Sequence, residues 1–283
     1  MKTVLPAVLL TLAALSTTLA SPSALAGADG TTRIDNITLG VIDLTPGDGA
    51  PAGYTLGYAE SRLLTYLNTV NNGGSYTQTS VFPAPYGAGQ AQLPANAGPG
   101  TAVASTAGGI GNLTSSAAAD ATLGTGNYLG AEGTQQLSLT LAPHSLLTVG
   151  GDLFTQVRRT LDPGVQYALF GWASVFITDA DGTTTSLLTR ESALNTWDPL
   201  ATLAERQERF LLAFANPGDS ALLLNLRFLA LTDITVSPVP LLGGVAPVPE
   251  PGTYALLLSG LLLTGTLARR RAAGGQRPIR RPC

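Results

Sequence analysis

The sequence predicts an all-β protein whose main body is an antiparallel β-sandwich. In several short runs, apolar residues alternate with polar or small ones, which is the pattern of a strand with one buried face. Turn-forming sequences rich in Gly, Pro, Asn and Asp separate these runs. Only 12% of the residues are charged while 45% are hydrophobic, a composition that argues against wholesale disorder.

Residues 1–26 have the pattern of an N-terminal signal peptide. Lys2 supplies a positive charge, and an apolar core follows from Val4 to Leu15. Ala24 and Ala26 fit the small-x-small site that signal peptidase recognises, so we expect cleavage after Ala26, following export through the Sec translocon. The alternative is a retained membrane anchor, for which this apolar core is short.

Residues 27–236 are predicted to form the sandwich as an exported ectodomain, since this length suits a single all-β domain. Four runs carry the two-residue alternation: Ile37, Leu39 and Val41; Tyr54, Leu56 and Tyr58; Leu137, Leu139 and Leu141; and Leu222, Leu224, Leu226 and Phe228. Five turn sequences lie at 46–49, 71–74, 162–164, 179–182 and 216–219.

Two segments of the body admit more than one interpretation. Residues 84–130 are rich in Ala, Gly, Ser and Thr, which fits either edge strands with small side chains or a long mobile insertion. Residues 201–215 have the composition of a helix, but a strand that ends at Asn216 fits the surrounding pattern equally well.

The body is acidic. Between Gly27 and Pro249 there are eight arginines, no lysine and 17 aspartates and glutamates, so this stretch has a net charge of −9. Such a surface repels a phosphate backbone, and we predict no nucleic-acid partner. The single cysteine, Cys283, excludes an intrachain disulfide and a cysteine-based metal cluster.

The sequence contains no recognisable catalytic motif. Its only histidine, His144, lies in a turn sequence, where we expect a surface position rather than a role as a base. The patterns G-x-S-x-G, H-E-x-x-H and Walker A do not occur. We therefore predict a protein that is not an enzyme and uses no cofactor. Weak glycoside hydrolysis stays open as an alternative, because any two of the acidic residues could meet in the fold.

Asp179 and Asp181 are candidate calcium ligands. The sequence Asp179-Ala180-Asp181-Gly182 contains the D-x-D-G core of a calcium loop. The twelfth position of such a loop requires a glutamate, and Arg190 stands there instead. A hairpin turn is therefore the favoured interpretation, and we predict no other metal site.

The two tryptophans are candidates for stacking against sugar rings. Trp172 alternates with Phe170 and Ser174 within a strand, and core packing is the favoured role for it. Trp197 precedes Asp198 and is the more plausible exposed aromatic residue. A carbohydrate-binding module is thus a second possible role for the body.

Three further segments follow the body. Residues 237–247 are rich in Pro and Gly and predict a linker. Residues 252–268 are uncharged and apolar or small, and as a helix they would be roughly 25 Å long, which is near the lower limit for a single transmembrane helix. Arg269–Arg271 then predict a cytoplasmic stop-transfer cluster, with residues 272–283 as a cytoplasmic tail.

Val248-Pro249-Glu250-Pro251, the apolar segment and Arg269-Arg270-Arg271 occur in that order. Together these residues, 248–271, resemble the PEP-CTERM sorting signal of exopolysaccharide-producing Gram-negative bacteria. The resemblance implies processing by exosortase, an integral-membrane cysteine transpeptidase analogous to sortase, at or near Pro-Glu-Pro. The two prolines hold the backbone extended, and Glu250 supplies a charge that an enzyme can recognise.

The body also resembles a recurring ectodomain type of PEP-CTERM proteins in the amino-acid sequences of residues 39–49 and 139–145. The two resemblances imply an inner-membrane intermediate and then a place at the cell surface or in the extracellular matrix. We expect a non-enzymatic protein associated with exopolysaccharide or biofilm. The alternative is a carbohydrate-binding module or a weak glycoside hydrolase.

Overall fold

In the computed structural model of the protein, the described residues are 26–70, 73–161, 165–182, 185–195, 198 and 200–237. They contain twelve strands and no helix: β1 (Ala26–Asp43), β2 (Tyr54–Asn68), β3 (Tyr76–Val81), β4 (Gly89–Gln92), β5 (Gly100–Thr106), β6 (Leu113–Asp120), β7 (Tyr128–Leu141), β8 (Ser145–Arg159), β9 (Gln166–Asp179), β10 (Thr185–Leu194), β11 (Leu203–Asn216) and β12 (Leu222–Ser237). The predictions for the N-terminal segment up to Leu25, for Trp197 and for residues 238–283 lie outside these ranges.

The strands form two antiparallel six-stranded sheets that pack as a sandwich, as the alternation predicts. Sheet A has the order β11-β8-β1-β6-β5-β4, and sheet B has the order β10-β9-β12-β7-β2-β3. Across the ranges that the structure describes, no helix is long and apolar enough to span a membrane.

The core lies between the inner faces of the two sheets. Leu137, Leu139 and Leu141 on β7 are each 0% exposed, as are Leu224 and other apolar residues of β12. Each buried leucine contributes roughly 2 kcal/mol of transfer free energy to folding. Two of the predicted alternating runs are thereby confirmed as the inner faces of central strands of sheet B.

The run Tyr54, Leu56 and Tyr58 behaves differently, because β2 contains a β-bulge between Leu56 and Ala59. An extra residue in one strand reverses the side-chain alternation beyond it. Tyr58 is therefore exposed, and the buried face of β2 continues with Ala59 and Leu63.

The small-residue segment at 84–130 forms strands rather than a mobile insertion. It supplies β4, β5 and β6 at one side of sheet A. Their inward residues are mostly alanines, all of them buried: Ala91, Ala102, Ala104, Ala117 and Ala119. Small inward side chains let the opposite sheet approach closely, which explains why this part of the core lacks large apolar residues.

The segment with helical composition is the strand β11. It pairs with β8 along its whole length, from Leu203 opposite Arg158 to Asn216 opposite Ser145. Phe210 and Phe214 are buried, and tertiary pairing of this kind overrides a weak intrinsic helix propensity. Arg190 of β10 donates from Nε and Nη2 to the two carboxylate oxygens of Glu208, so that this fork joins the edges of the two sheets.

Arg159 at the end of β8 is only 4% exposed, although it carries a charge. Its guanidinium donates to the carbonyl oxygens of Tyr167, Asn195, Asp198 and Ala201. Burial lowers the pKa of Arg159, while the nearby Asp198 raises it. The buried cation therefore fixes the chain before β11 to the end of the sandwich.

Candidate functional site

His144 lies in the turn between β7 and β8 with a positive φ of 50°. Its Nε2 atom is 2.9 Å from Oδ1 of Asp219, whose side chain is almost fully exposed. No nucleophilic side chain appears among the described partners of His144. The pair closes two neighbouring turns, since the backbone N–H of His144 also donates to the carbonyl oxygen of Gly218.

Asp179 ends β9, and Asp181 lies in the turn that leads to β10. The backbone N–H of Gly182 donates to the carbonyl oxygen of Asp179 at 3.1 Å, and Gly182 has a φ of 68°. This geometry is that of a tight hairpin turn with glycine in the left-handed region. Within the described ranges, no three His, Cys, Asp or Glu side chains group as metal ligands, and calcium binding by Asp179 and Asp181 stays a prediction.

Trp172 does not pack in the core, and that expectation is wrong. It lies on the outer face of sheet B and is 40% exposed. The inner face of β9 is formed by its neighbours Ala173 and Val175, both 0% exposed. Because both faces of β9 carry apolar residues, alternation alone could not show which of them faces the core.

Trp172 belongs to a contiguous surface that we call the aromatic face. Its members lie on the outer side of β9, β12, β7 and β2, as the register of these strands shows: Phe170, Trp172, Phe176, Leu229, Leu231, Tyr128, Leu64 and Tyr66. Leu187 of β10, paired with Phe176, extends this surface and is exposed. Sequence reasoning missed the surface, because only the strand order brings these residues together.

Asp233 sits within the aromatic face, paired with Phe170 on one side and Gly130 on the other. Burial raises the pKa of Asp233 to about 6, and a hydrogen bond from the backbone of Ile234 acts in the opposite direction. Its Oδ1 atom is buried and has no hydrogen-bond partner among the described residues. An ionised carboxylate in this position lacks most of the solvation it would have in water.

Tyr66 leans across Gly130, the strand neighbour of Asp233. A Cβ atom at Gly130 would lie 2.4 Å from the phenolic oxygen of Tyr66, so only glycine leaves room for this ring. The ring also meets Tyr128 edge-on, with centroids 6.0 Å apart. Burial, followed by the charges of Asp233 and Glu132, raises the pKa of Tyr66, which therefore stays neutral.

Ser174 is the other buried polar residue of this outer face. It is 0% exposed, and its hydroxyl has no hydrogen-bond partner among the described residues. It alternates with Trp172 and Phe176 along β9, so its side chain is on the same side of the sheet as theirs. Buried hydroxyls are normally hydrogen-bonded, and an unpaired one in a native surface requires an explanation.

The outer face of sheet A has a different character. Arg158 lies 3.0 Å from Asp29 and Arg209 lies 3.2 Å from Asp152, each measured from Nε to a carboxylate oxygen. Asn36 also donates to Asp152, and these contacts lower the pKa of its carboxyl group. Polar groups on this face therefore partner one another.

Comparison with known proteins identifies one feature of the chain. A family model of the PEP-CTERM protein-sorting motif matches residues 247–272. No curated protein matches the chain. A solved structure from work on the promiscuous specificity of carbohydrate-binding modules of the β-sandwich superfamily aligns with 73% of this chain and 96% of its own, at 8% identity. Its TM-score of 0.13 means that this likeness carries no argument.

The matched range contains Val248-Pro249-Glu250-Pro251, the apolar segment and Arg269-Arg270-Arg271, so the resemblance found in the sequence is confirmed. The motif implies an exported protein that exosortase processes. It also implies a membrane-anchored intermediate before release at the cell surface. The chain is therefore an all-β sandwich followed by a PEP-CTERM protein-sorting motif at residues 247–272.

Proposed function

We propose that this protein is a non-enzymatic component of the cell surface or extracellular matrix, associated with exopolysaccharide or biofilm. The observation that carries the proposal is the sorting motif at residues 247–272, which follows the sandwich along the chain. Active sites usually gather several groups with shifted pKa values in a cleft. Here Arg190 and Glu208 join two sheet edges, and Asp152 is held by its neighbours. The raised pKa values of Asp233 and Tyr66 arise mainly from burial on the outer face of sheet B.

Export proceeds in ordered steps under this proposal. Signal peptidase cuts after Ala26, residues 252–268 hold the intermediate in the inner membrane, and Arg269–Arg271 keep its end cytoplasmic. Exosortase then cuts at or near Val248–Pro251. The proposal draws support from the order of these elements along the chain.

The processing step is tested by Glu250→Ala, with Asp219→Ala as a matched loss of an exposed acid in the body. We expect the first variant to accumulate as an uncut membrane precursor, since it removes the charge available to the enzyme and leaves the apolar segment intact. The second variant should be processed normally. Fractionation and mass spectrometry of protein from an exosortase-positive host measure the location and the cleavage of both variants. Normal surface delivery of Glu250→Ala would contradict the proposal that exosortase recognises Pro-Glu-Pro in this chain.

The non-enzymatic assignment is tested separately. Incubation of the chain with polysaccharides should produce no new reducing ends, whether the protein is native or carries Glu132→Gln. Release of reducing ends by the native protein, lost in Glu132→Gln, would show a weak glycoside hydrolase instead.

A second candidate role, a carbohydrate-binding module, is favoured by one specific observation. Trp172 and its neighbours are presented on an outer face rather than in the core. Exposed aromatic rings on a sheet are suited to stack against the apolar faces of sugar rings. This role is compatible with a non-enzymatic matrix protein.

A further inference from the structure

The aromatic face carries aromatic and aliphatic residues from β10 to β2, with Asp233, Glu132 and Ser174 among them, and nothing in the described chain covers it. Trp172 and Leu187 are both exposed. Monomeric proteins seldom leave a large apolar patch open unless it serves as an interaction site. The charge and hydrogen-bonding groups of the face then decide which partner fits it.

Three carboxylates accompany the aromatic rings. Glu191 pairs with Trp172 across β10 and β9, Glu132 pairs with Leu231 across β7 and β12, and Asp233 lies one step further along β12. Glu132 accepts a hydrogen bond from the hydroxyl of Thr134 at 3.0 Å. Among the described residues, none of the three carboxylates forms an ion pair, in contrast to the acids on the outer face of sheet A.

The outer face carries fewer cations than carboxylates at the end with Trp172 and Tyr66. Arg227 pairs with Phe176 and Gln136 at the other end of the patch, whereas Arg62 pairs with Thr134, the residue next to Glu132 on the same face. The end that carries Trp172 and Tyr66 is therefore acidic. A ligand with negative charge would be repelled there, and one with positive charge would be attracted.

Ser174 provides an independent indication of a ligand. Its side chain is fully buried beside Trp172, and its hydroxyl has no partner in the described part of the chain. A second copy of the same face is a poor partner, because it would place two acidic surfaces against each other and would add mainly apolar side chains opposite the hydroxyl of Ser174. A ligand rich in hydroxyl and amino groups can supply the missing hydrogen bonds.

The distance across the face sets the size of the ligand. Trp172 on β9 and Tyr66 on β2 are separated by three strand spacings, which amounts to roughly 14 Å. Flat rings at both ends of such a span suit an extended chain of several sugars rather than a single sugar.

We propose that the aromatic face binds a polysaccharide that carries free amino sugars. The rings of Trp172 and Tyr66 contact the apolar faces and ammonium groups of the sugars, and Glu132 and Glu191 provide the complementary charge, while Asp233 offers an oxygen for a hydrogen bond. This inference rests on the proposed association with polysaccharide. It is measured on purified protein, so a failure of sorting in cells and a failure of binding are separate results.

The experiment titrates the full chain in detergent micelles with a chitosan hexamer, at a pH where the amines are charged. The protein has two tryptophans, so Trp197→Phe makes the fluorescence of Trp172 the only tryptophan signal. The fully acetylated chitin hexamer and an alginate hexamer are the comparison ligands. We expect a saturable change with chitosan, binding of the chitin hexamer weaker by about tenfold or more, and no binding of alginate.

Variants locate the site. Calorimetry should show that Trp172→Ala weakens chitosan binding by about tenfold or more, while Leu211→Ala, an exposed leucine on the outer face of sheet A, leaves it unchanged. Glu191→Gln, an isosteric change at an exposed position, should weaken binding and reduce its dependence on salt. Circular dichroism confirms that each variant keeps its fold.

Three results would overturn the proposal. They are the absence of chitosan binding, binding of alginate as tight as that of chitosan, and unchanged affinity in both Trp172→Ala and Glu191→Gln. Sedimentation measures the oligomeric state. A dimer that dissociates in Trp172→Ala would also overturn the proposal, because the face would then bind a second copy of the chain.

Discussion

On the outer face of sheet A, Arg158 contacts Asp29 and Arg209 contacts Asp152. On the outer face of sheet B, the hydroxyl of Ser174 and the Oδ1 atom of Asp233 lack partners in the described chain. Both faces belong to the same sandwich and are built from similar strands. The difference teaches that one face is complete by itself, while the other is left with unmet hydrogen-bonding capacity. Removing a polar group should therefore have opposite effects on the stability of the two faces.

The largest effect is expected from Asp233→Asn. The folded state keeps the pKa of Asp233 near 6, above its usual value of 3.8, so the folded protein binds a proton that the unfolded chain has already lost. The free energy of unfolding should therefore fall between about pH 4 and pH 6 and then level off, by up to roughly 3 kcal/mol. Asn removes this charge, and the variant should be more stable than the native protein at pH 8.

Urea titrations from pH 4 to pH 8 measure this difference. Carboxyl groups whose pKa values are lowered in the fold, such as Asp152 and Glu208, lose their stabilising contribution as the pH falls below about 5, which is a change of opposite sign. Asp233→Asn keeps these groups, so the difference between the native protein and the variant isolates Asp233. A difference that stays constant between about pH 4 and pH 6 would show that Asp233 is well solvated.

A smaller effect is expected from Ser174→Ala. This change removes a buried hydroxyl without a partner in the described chain, so the variant should gain about 1 kcal/mol. Ser192→Ala is the matched control, because the hydroxyl of Ser192 is also buried but lies 2.6 Å from that of Thr155. The control should lose about 1 kcal/mol. Equal losses in the two variants, measured by urea unfolding, would mean that Ser174 has an acceptor after all.

The smallest effect is expected on sheet A. Asp29→Asn breaks the ion pair with Arg158, which lies at the surface and is half exposed. Such pairs contribute less than about 1 kcal/mol and are weakened by salt. Thermal unfolding at low and high salt should show a slight loss of stability at low salt alone. A gain of stability would indicate that the outer face of sheet A is frustrated in the same way as that of sheet B.

Much of the fold could be predicted from the sequence, because alternation and turn chemistry act locally. The leucines of β7 and β12 were recognised as a buried face, and the turn at 216–219 does separate two strands. The alternation of β2 was misleading beyond Leu56, because a bulge depends on the partner strand and leaves no clear local signal.

The candidate binding face was not predictable for a related reason. Both alternating sets of residues along β9 contain apolar side chains. The pattern therefore fits a strand with Trp172 facing the core and equally well a strand with Trp172 facing solvent. Tyr66 meets Tyr128 only because β2 pairs with β7, and Asp233 joins them because β12 pairs with β7 on its other edge. Contacts of this kind follow from the order of strands in the sheet, which the local pattern does not specify. The sorting motif, in contrast, is linear and was recognised directly.

The two ends of the body occupy interior places in the sandwich. The first strand, β1, lies between β8 and β6, and the last strand, β12, lies between β9 and β7. On the export route proposed above, which starts at the N-terminus, sheet A cannot be complete until β11 has crossed the membrane, and sheet B cannot be complete until β12 has crossed. Pairings over such sequence separations form slowly, and the unfinished sheets expose open strand edges meanwhile. Since Ser237 ends β12 and the sorting motif begins at residue 247, the body becomes able to fold only as its sorting signal arrives. On that proposed route, the strand order makes folding of the sandwich follow export of nearly the whole body.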